Sequence, residues 1–201
     1  MKNQLLFCSL LLSFFGYSQK KVLQTTFTSN KIEIDGKLDE AIWQSVPVAT
    51  DFIMFDPDNG KNIPENKKTE IRILYDNDAI YIGALMLDEN PEKILKEITQ
   101  RDSFGTSDLF GVFINGFNDG QQDFQFFVIA ADGQADCITT DTNGEDYSWD
   151  AVWKSKAIIT DKGWVVEIRI PYAALRFSSE KKQTWGLNFF REIKRDRQKY
   201  T

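Results

Sequence analysis

The chain has 201 residues, with 24 Lys and Arg against 30 Asp and Glu, a formal net charge of −6. This length suits one domain with a substantial core, and the acidic balance argues against a nucleic-acid partner, which selects basic stripes. Histidine is absent, which excludes His-assisted nucleophiles and the usual zinc sites. The sequence also lacks a phosphate-binding glycine loop and a Gly-x-Ser-x-Gly elbow.

The first predicted element is a signal peptide over residues 1–19. Lys2 supplies positive charge, and residues 5–15 form an apolar stretch that is too short to span a bilayer. Gly16 and Ser18 place small residues where a signal peptidase reads, so cleavage is expected at Gln19. The mature chain is expected to be one exported module over residues 20–201.

Mass spectrometry of the exported protein tests this expectation. The mature N-terminus should be found at Gln19, since cleavage follows the apolar stretch and its small residues. A secreted chain that still carries Met1 or Leu5 would contradict the prediction.

Short extended segments fill the mature chain. Turn-forming groups separate them at hairpin spacing: Asp76-Asn77-Asp78, Asp119-Gly120, Asp132-Gly133, Asn143-Gly144 and Lys162-Gly163. Residues 71–75 and 164–170 alternate, which predicts strands with one buried face. Residues 109–114 and 124–131 are nearly continuously apolar, which predicts central strands.

Helix is expected only in three short segments. These are residues 38–43, 91–99 and 172–175, with Ile94, Leu95 and Ile98 sharing one helical face of the second. The predicted fold is therefore all-β: an antiparallel β-sandwich, immunoglobulin-like or jelly-roll-like, with one or two short helices.

Two polar segments, residues 50–68 and 138–150, are predicted to be long loops. Their carboxylates are weak candidates for a structural Ca²⁺, which prefers oxygen ligands, at Asp56, Asp58, Asp141, Glu145 and Asp146. The spacing does not match an EF-hand, and the alternative is ordinary capping of turns.

Aromatic side chains are abundant, with 16 Phe, 6 Tyr and 5 Trp. Flat exposed rings stack on the C–H faces of sugars, although most of these rings are expected in the core. The candidates for sugar contact are the rings beside polar loops, namely Trp149, Trp153, Phe104 and Tyr147. Structural packing of the same four rings is the alternative.

Catalytic chemistry finds little support in the sequence. Paired acids could serve glycoside hydrolysis, and Glu167 is the best single candidate. Its place in the alternation points it away from the buried face, where an ion pair with Arg169 or with a cation on a neighbouring strand is expected instead. No catalytic residue is assigned. Cys137, the only cysteine of the mature chain, is expected to be a small buried side chain.

Four segments, in order, resemble the family 9 carbohydrate-binding modules. They are residues 34–43 (IDGKLDEAIW), 69–82 (TEIRILYDNDAIYI), 163–171 (GWVVEIRIP) and 185–191 (WGLNFFR). Residues 101–103, 108–120 and 149–153 look like a branch found in outer-membrane proteins of Bacteroidetes-type bacteria. In that branch, the module precedes a C-terminal region predicted to be a membrane barrel.

The resemblance implies a site in which a tryptophan-pair clamp and several polar side chains hold a terminal sugar. This chain departs from that pattern at four places. Residues 104–106 stand where one clamp aromatic is expected, and Gly111 stands where an acid is expected. Phe127 and Ile129 occupy positions that are polar in the family.

Three hypotheses follow. The first is noncatalytic binding of a polysaccharide or oligosaccharide, linked to polysaccharide breakdown by hydrolases of O-glycosyl bonds. The second is a periplasmic accessory domain of an outer-membrane barrel protein without sugar affinity. The third is a glycosidic-bond hydrolase. The resemblance places the exported chain in the periplasm, at the outer membrane or outside a Gram-negative cell.

Overall fold

The computed structural model describes residues 21–201, so the predicted signal peptide lies outside the described residues. Thirteen strands form two sheets. The first sheet contains β1 (Thr26–Phe27), β2 (Val48–Ala49), β4 (Thr69–Tyr75), β5 (Ala79–Leu87), β10 (Lys154–Thr160) and β11 (Gly163–Pro171). The second contains β3 (Met54–Asp56), β6 (Leu109–Asn115), β7 (Gln122–Ile129), β8 (Gln134–Thr140), β9 (Gly144–Asp146), β12 (Gly186–Ile193) and β13 (Gln198–Tyr200).

The strand order confirms the predicted β-sandwich. The first sheet runs β1-β4-β5-β11-β10, with β2 also paired to β4, and the second runs β3-β13-β12-β6-β7-β8-β9. Pairing is antiparallel throughout these sheets except between β1 and β4. The five predicted turns each connect two consecutive strands, and β6 and β7 are interior strands as expected.

Helix is limited to short 3-10 turns in the described chain. They are Ala41–Ser45, Glu65–Lys67, Pro91–Lys93, Tyr172–Ala174 and Lys194–Asp196. The helix expected over residues 91–99 was wrong beyond Lys93: Ile94 is buried, but Ile98 is 92% exposed. No helix within residues 21–201 is long and apolar enough to cross a membrane.

The main core lies between the two sheets. The alternating residues of β11 point into it, and Trp164, Val166, Ile168 and Ile170 are each fully buried. Ile71 and Ile73 of β4 join them, as the alternation predicted. Burying such side chains stabilises the fold by roughly 1.5–3 kcal/mol each.

A second apolar layer covers the outer face of the first sheet. Residues 32–46 lie across that face and bury Trp43 against β4 and β5. Gly83 makes the close approach possible, since a Cβ there would lie 2.5 Å from Leu38 Cδ2 and 3.3 Å from Trp43 Cζ3. The Trp43 indole N–H donates to Glu40 Oε2 at 3.1 Å.

The predicted loop over residues 138–150 is partly wrong. Its first half forms the end of β8, which pairs with the short strand β9 through the turn at Asn143 and Gly144. The segment over residues 50–68 contains β3 and one 3-10 turn, and it is otherwise irregular.

Candidate functional site

The outer face of the second sheet carries a run of neighbouring aromatic rings. Ring centroids lie 6.1 Å apart for Tyr147 and Phe104, 5.2 Å for Phe104 and Phe127, and 5.6 Å for Phe127 and Phe113. The run continues through Phe190 and Phe55, with successive centroid separations of 6.3 Å and 6.0 Å. We call this set the aromatic row: Tyr147, Phe104, Phe127, Phe113, Phe190 and Phe55.

Strand alternation places these rings outside the sandwich. On β6, Phe110 and Val112 point into the main core, whereas Phe113 belongs to the separate cluster on the outer face. Phe127 is covered by its neighbours, but Phe113 and Phe190 are only half-buried, and Phe55 is 41% exposed. The row therefore presents aromatic surface to solvent, unlike the tryptophans of the core.

Gly111 explains how the rings lie close to the sheet. It pairs with Phe127 on β7 and with Phe190 on β12. A Cβ at Gly111 would lie 2.8 Å from Phe127 Cδ1 and 3.2 Å from Phe113 Cε1. The space that an acidic side chain would need at this position is thus filled by phenyl rings.

A polar cleft adjoins Phe113 at one side of the row. The cleft has a volume of about 260 Å³ and is lined by Phe113, Asn115, Asn118, Asp119, Gly120, Asp123, Gly186, Leu187 and Asn188. Asn115 and Asp119 brace it through two 3.2 Å hydrogen bonds, one donated by Asn115 Nδ2 and one by the Asp119 amide. Burial raises the pKa of Asp123, and Asp141 and Asp119 add to the rise.

An aromatic surface beside amides and carboxylates is suited to binding a polyhydroxylated ligand. Rings contact the apolar faces of such a ligand, and the amides and carboxylates exchange hydrogen bonds with its hydroxyls. The lining of this cleft contains two carboxylates and no cationic side chain. The chemistry therefore favours a neutral ligand over an anionic one.

The structure divides the four predicted contact residues into two pairs. Phe104 and Tyr147 lie together in the aromatic row, and the Tyr147 hydroxyl donates to Glu145 at 2.9 Å. Trp149 is half-buried on the opposite side of β7, against Phe124 at 5.3 Å. Trp153 is only 6% exposed and packs edge-on against Phe126. Little of this ring is exposed, although Trp153 is among the residues that line a surface cleft with Arg101 and Gln134, and its contact with a sugar stays a prediction.

Asp136 shows what the segment over residues 149–153 does instead. This buried carboxylate accepts hydrogen bonds from the Trp153 indole at 3.1 Å, from the Ala151 amide at 2.6 Å and from Arg101. Arg101 also donates to Asp150 at 3.1 Å. These hydrogen bonds to Asp136 attach Arg101 and the segment over residues 149–153 to β8. Burial raises the pKa of Asp136.

Glu167 is placed differently from its prediction. It is fully buried beneath residues 35–37, and its Oε2 accepts the amides of Asp35, Gly36 and Lys37 at 2.9, 2.7 and 3.2 Å. The expected ion pair with Arg169 was wrong, since Arg169 Nε donates to the Tyr81 hydroxyl at 3.3 Å. Burial raises the pKa of Glu167 to about 7.

Two other predicted features have clear positions. Cys137 is fully buried under the row, as expected, and burial raises its thiol pKa to about 11. Asp108, the first residue of the 108–120 segment in the family resemblance, is also buried. It accepts the Lys194 amide at 3.0 Å, and burial raises its pKa to about 6.

The candidate calcium ligands are engaged in other contacts or lie apart. Asp56 faces Lys199 at 3.5 Å and Asp58 faces Lys61 at 2.6 Å. Glu145 accepts from Tyr147, Asp146 accepts from Ser148, and Asp141 is exposed at the β8–β9 turn. Across residues 21–201, no three acidic, Cys or His side chains gather as a metal site would require. These residues do not fit a Ca²⁺ site, and the calcium expectation stays a prediction without assigned ligands.

Residues 34–199 match the family model described as "Carbohydrate family 9 binding domain-like". The chain therefore belongs to this family, which confirms the resemblance read from the four sequence segments. The branch in Bacteroidetes-type outer-membrane proteins stays a prediction. No curated protein matches the chain.

Two solved structures of family 9 modules from Caldicellulosiruptor kristjanssonii share the fold. One, in complex with cellotriose, has a TM-score of 0.58 at 18% identity and covers 89% of this chain and 81% of its own. The other, in complex with glucose, has a TM-score of 0.54 at 18% identity and covers 83% and 76%. At this identity the likeness establishes the fold.

Sequence reasoning missed four members of the row: Phe55, Phe113, Phe127 and Phe190. Two of them, Phe113 and Phe127, lie in segments predicted to be central strands. Alternation within residues 109–114 and 124–131 contained a usable signal, because Phe113 and Phe127 share a face with Gly111 and Gln125 rather than with the core residues.

Proposed function

We propose that the chain is a noncatalytic carbohydrate-binding module whose site is the aromatic row with the cleft beside Phe113. The observation that carries the proposal is this partly exposed set of rings next to Asn and Asp side chains. Family membership supports it, as do the family 9 modules solved in complex with cellotriose and glucose.

The absence of a catalytic role belongs to the same proposal. Glu167, the best acid for glycoside hydrolysis by sequence, is sealed under a backbone turn and cannot meet a substrate. A binding module instead supports polysaccharide breakdown by holding a linked or partner hydrolase near its substrate, which raises the effective concentration. We also propose, from the sequence alone, that the module is exported and that its parent protein contains a membrane barrel.

Calorimetric titration with glucose, xylose and cello- and xylo-oligosaccharides tests the function. We expect affinity on the order of 10 μM to 1 mM, or about −4 to −7 kcal/mol, because the stacking surface is open. Phe113→Ala should weaken binding about tenfold or more, since this ring borders both the row and the cleft.

Phe27→Ala is the matched control. Phe27 is 48% exposed and packs edge-on against Tyr75 at 5.6 Å on the first sheet, so its loss should not change affinity. If no sugar produces heat at millimolar concentration, the accessory-domain hypothesis replaces this one. If sugars bind and Phe113→Ala leaves affinity unchanged, the site is elsewhere on the module.

A further inference from the structure

Two rings of the aromatic row, Phe104 and Tyr147, lie outside the strands. Phe104 is in the loop before β6, and Tyr147 is in the loop that follows β9. Both rings are half-buried, and they meet edge-on with centroids 6.1 Å apart. Strand pairing fixes Phe113 and Phe127, whereas the position of these two rings depends on how their loops are attached.

Both loops are attached to one residue of β8. The Asp136 amide donates to Asp102 Oδ1 at 3.0 Å, close to Phe104 in the first loop. The Asp136 carboxylate accepts the Ala151 amide at 2.6 Å, shortly after Tyr147 in the second loop. Asp136 therefore fixes the two loops relative to each other.

Arg101 connects the same two loops directly. Its guanidinium donates to Asp150 at 3.1 Å, to the Ala151 carbonyl at 3.3 Å, to Gln134 Oε1 at 3.0 Å and to Asp136. A guanidinium presents several donors at fixed angles, which a lysine ammonium does not. Removing this one side chain would therefore loosen both loops at once.

Neither Arg101 nor Asp136 belongs to the aromatic row or lines the cleft beside Phe113. The Asp136 side chain is fully buried, and Arg101 lines a different cleft, together with Trp153 and Gln134. Any effect of these two residues on a ligand in the proposed site must therefore act through the rings.

Resting on the proposed function, we infer that Arg101 and Asp136 are positioning residues for sugar binding. They hold Phe104 and Tyr147 in the arrangement that the ligand meets at this end of the aromatic row. Rings that are ordered before binding do not have to be ordered by the ligand, which removes a cost from the binding free energy.

Calorimetric titration of Arg101→Gln, with the sugar that binds wild type most tightly, provides the first test. Affinity should fall about fivefold or more, because the ligand must order both rings. The variant should fold, since Arg101 is 37% exposed and Asp136 keeps the Ala151 and Trp153 donors. Unchanged affinity would overturn the inference.

Arg195→Gln is the matched control. Arg195 donates to the two oxygens of Asp88 at 2.8 and 2.7 Å, and the Asp88 side chain is as fully buried as that of Asp136. This variant should lose stability but keep wild-type affinity. An equal loss of affinity in both variants would show general destabilisation and overturn the inference. If the Gln variants do not fold, Arg101→Lys and Arg195→Lys replace them with the same expectations.

A double-mutant cycle with Phe104→Ala tests whether Arg101 acts through the ring. In the Phe104→Ala background, Arg101→Gln should weaken binding less than it does in wild type, since one of the rings it positions is gone. Full additivity of the two losses would overturn the inference.

Nuclear Overhauser contacts between the Phe104 and Tyr147 rings give a readout without any ligand. They should be present in wild type and in Arg195→Gln, and weakened or lost in Arg101→Gln. Persistence of these contacts at wild-type strength in Arg101→Gln would overturn the inference. A wild-type protein that binds no sugar would instead refute the proposed function, and the inference with it.

Discussion

Replacing Trp43 by alanine is expected to lower the free energy of unfolding by about 3–5 kcal/mol, as truncation of a buried Trp typically does. The ring is fully buried between residues 32–46 and the outer face of the first sheet, and its indole N–H holds Glu40. For a domain of this size the loss corresponds to a fall in melting temperature of about 10 °C. Chemical denaturation and calorimetry measure both quantities.

Phe117→Ala provides the control for this substitution. Phe117 is 57% exposed in the β6–β7 turn, so its removal should change stability by less than about 0.5 kcal/mol. A Trp43→Ala protein that melts within a degree or two of wild type would show that residues 32–46 do not seal the first sheet in solution.

The stability of the protein is expected to fall as the pH rises from about 4.5 to about 7. The pKa of Glu167 is raised from 4.5 to about 7 in the fold by burial, so the folded state holds this proton more tightly than the unfolded chain. The contribution is fully present below the unfolded pKa and is lost as the pH rises through the folded one. The size of the effect is about 3 kcal/mol.

Glu167→Gln isolates this effect. The amide carbonyl can still accept the hydrogen bonds from the turn at Asp35, Gly36 and Lys37 but does not titrate. The variant should therefore show a shallower decline between pH 4.5 and 7, in which the contribution of Asp108, whose pKa is raised to about 6, remains, whereas Glu180→Gln, on an exposed loop, should keep the wild-type slope. Urea titrations at half-unit pH intervals give the comparison, and identical slopes for Glu167→Gln and wild type would contradict it.

Local pattern was sufficient for the strands and their connections. Each acidic or glycine-containing turn predicted from the sequence joins two strands, and the alternation around Trp164 identified the face of β11 that meets the core. These features depend on neighbouring residues, since the side-chain period of a strand is two and a hairpin turn has local requirements.

Whether the strand face that points away from the main core is also buried depends on segments that are distant in sequence. Glu167 was assigned to the surface because alternation shows only which side of the sheet a residue points to. The segment over residues 32–46, which is distant in sequence, packs on that side and buries Glu167. The same limit affected the aromatic rings. Trp153 follows a polar segment yet is enclosed beside Phe126, whereas Phe113 lies in an apolar segment yet is only half-buried on the outer face.

Local helical spacing misled in one place. Ile94, Leu95 and Ile98 have the separation of a helical face, but only Ile94 finds an apolar partner. The chain after Lys93 runs on without regular structure, and the Leu95 carbonyl accepts the Asp108 amide at 2.9 Å. A tertiary hydrogen bond therefore replaces the helical one.

The ends of the two sheets bear on how this protein behaves at high concentration. A surface row of phenyl rings invites self-association, and unpaired strand edges would add backbone pairing to it. Here the edge strands β1, β3 and β9 have only two or three residues each, and β9 carries Glu145 and Asp146. The longer edge strand β10 carries Lys154 and Lys156. Short or charged edge strands offer a second molecule few backbone groups to pair with. The module can therefore expose aromatic rings to a ligand without a strong tendency to aggregate.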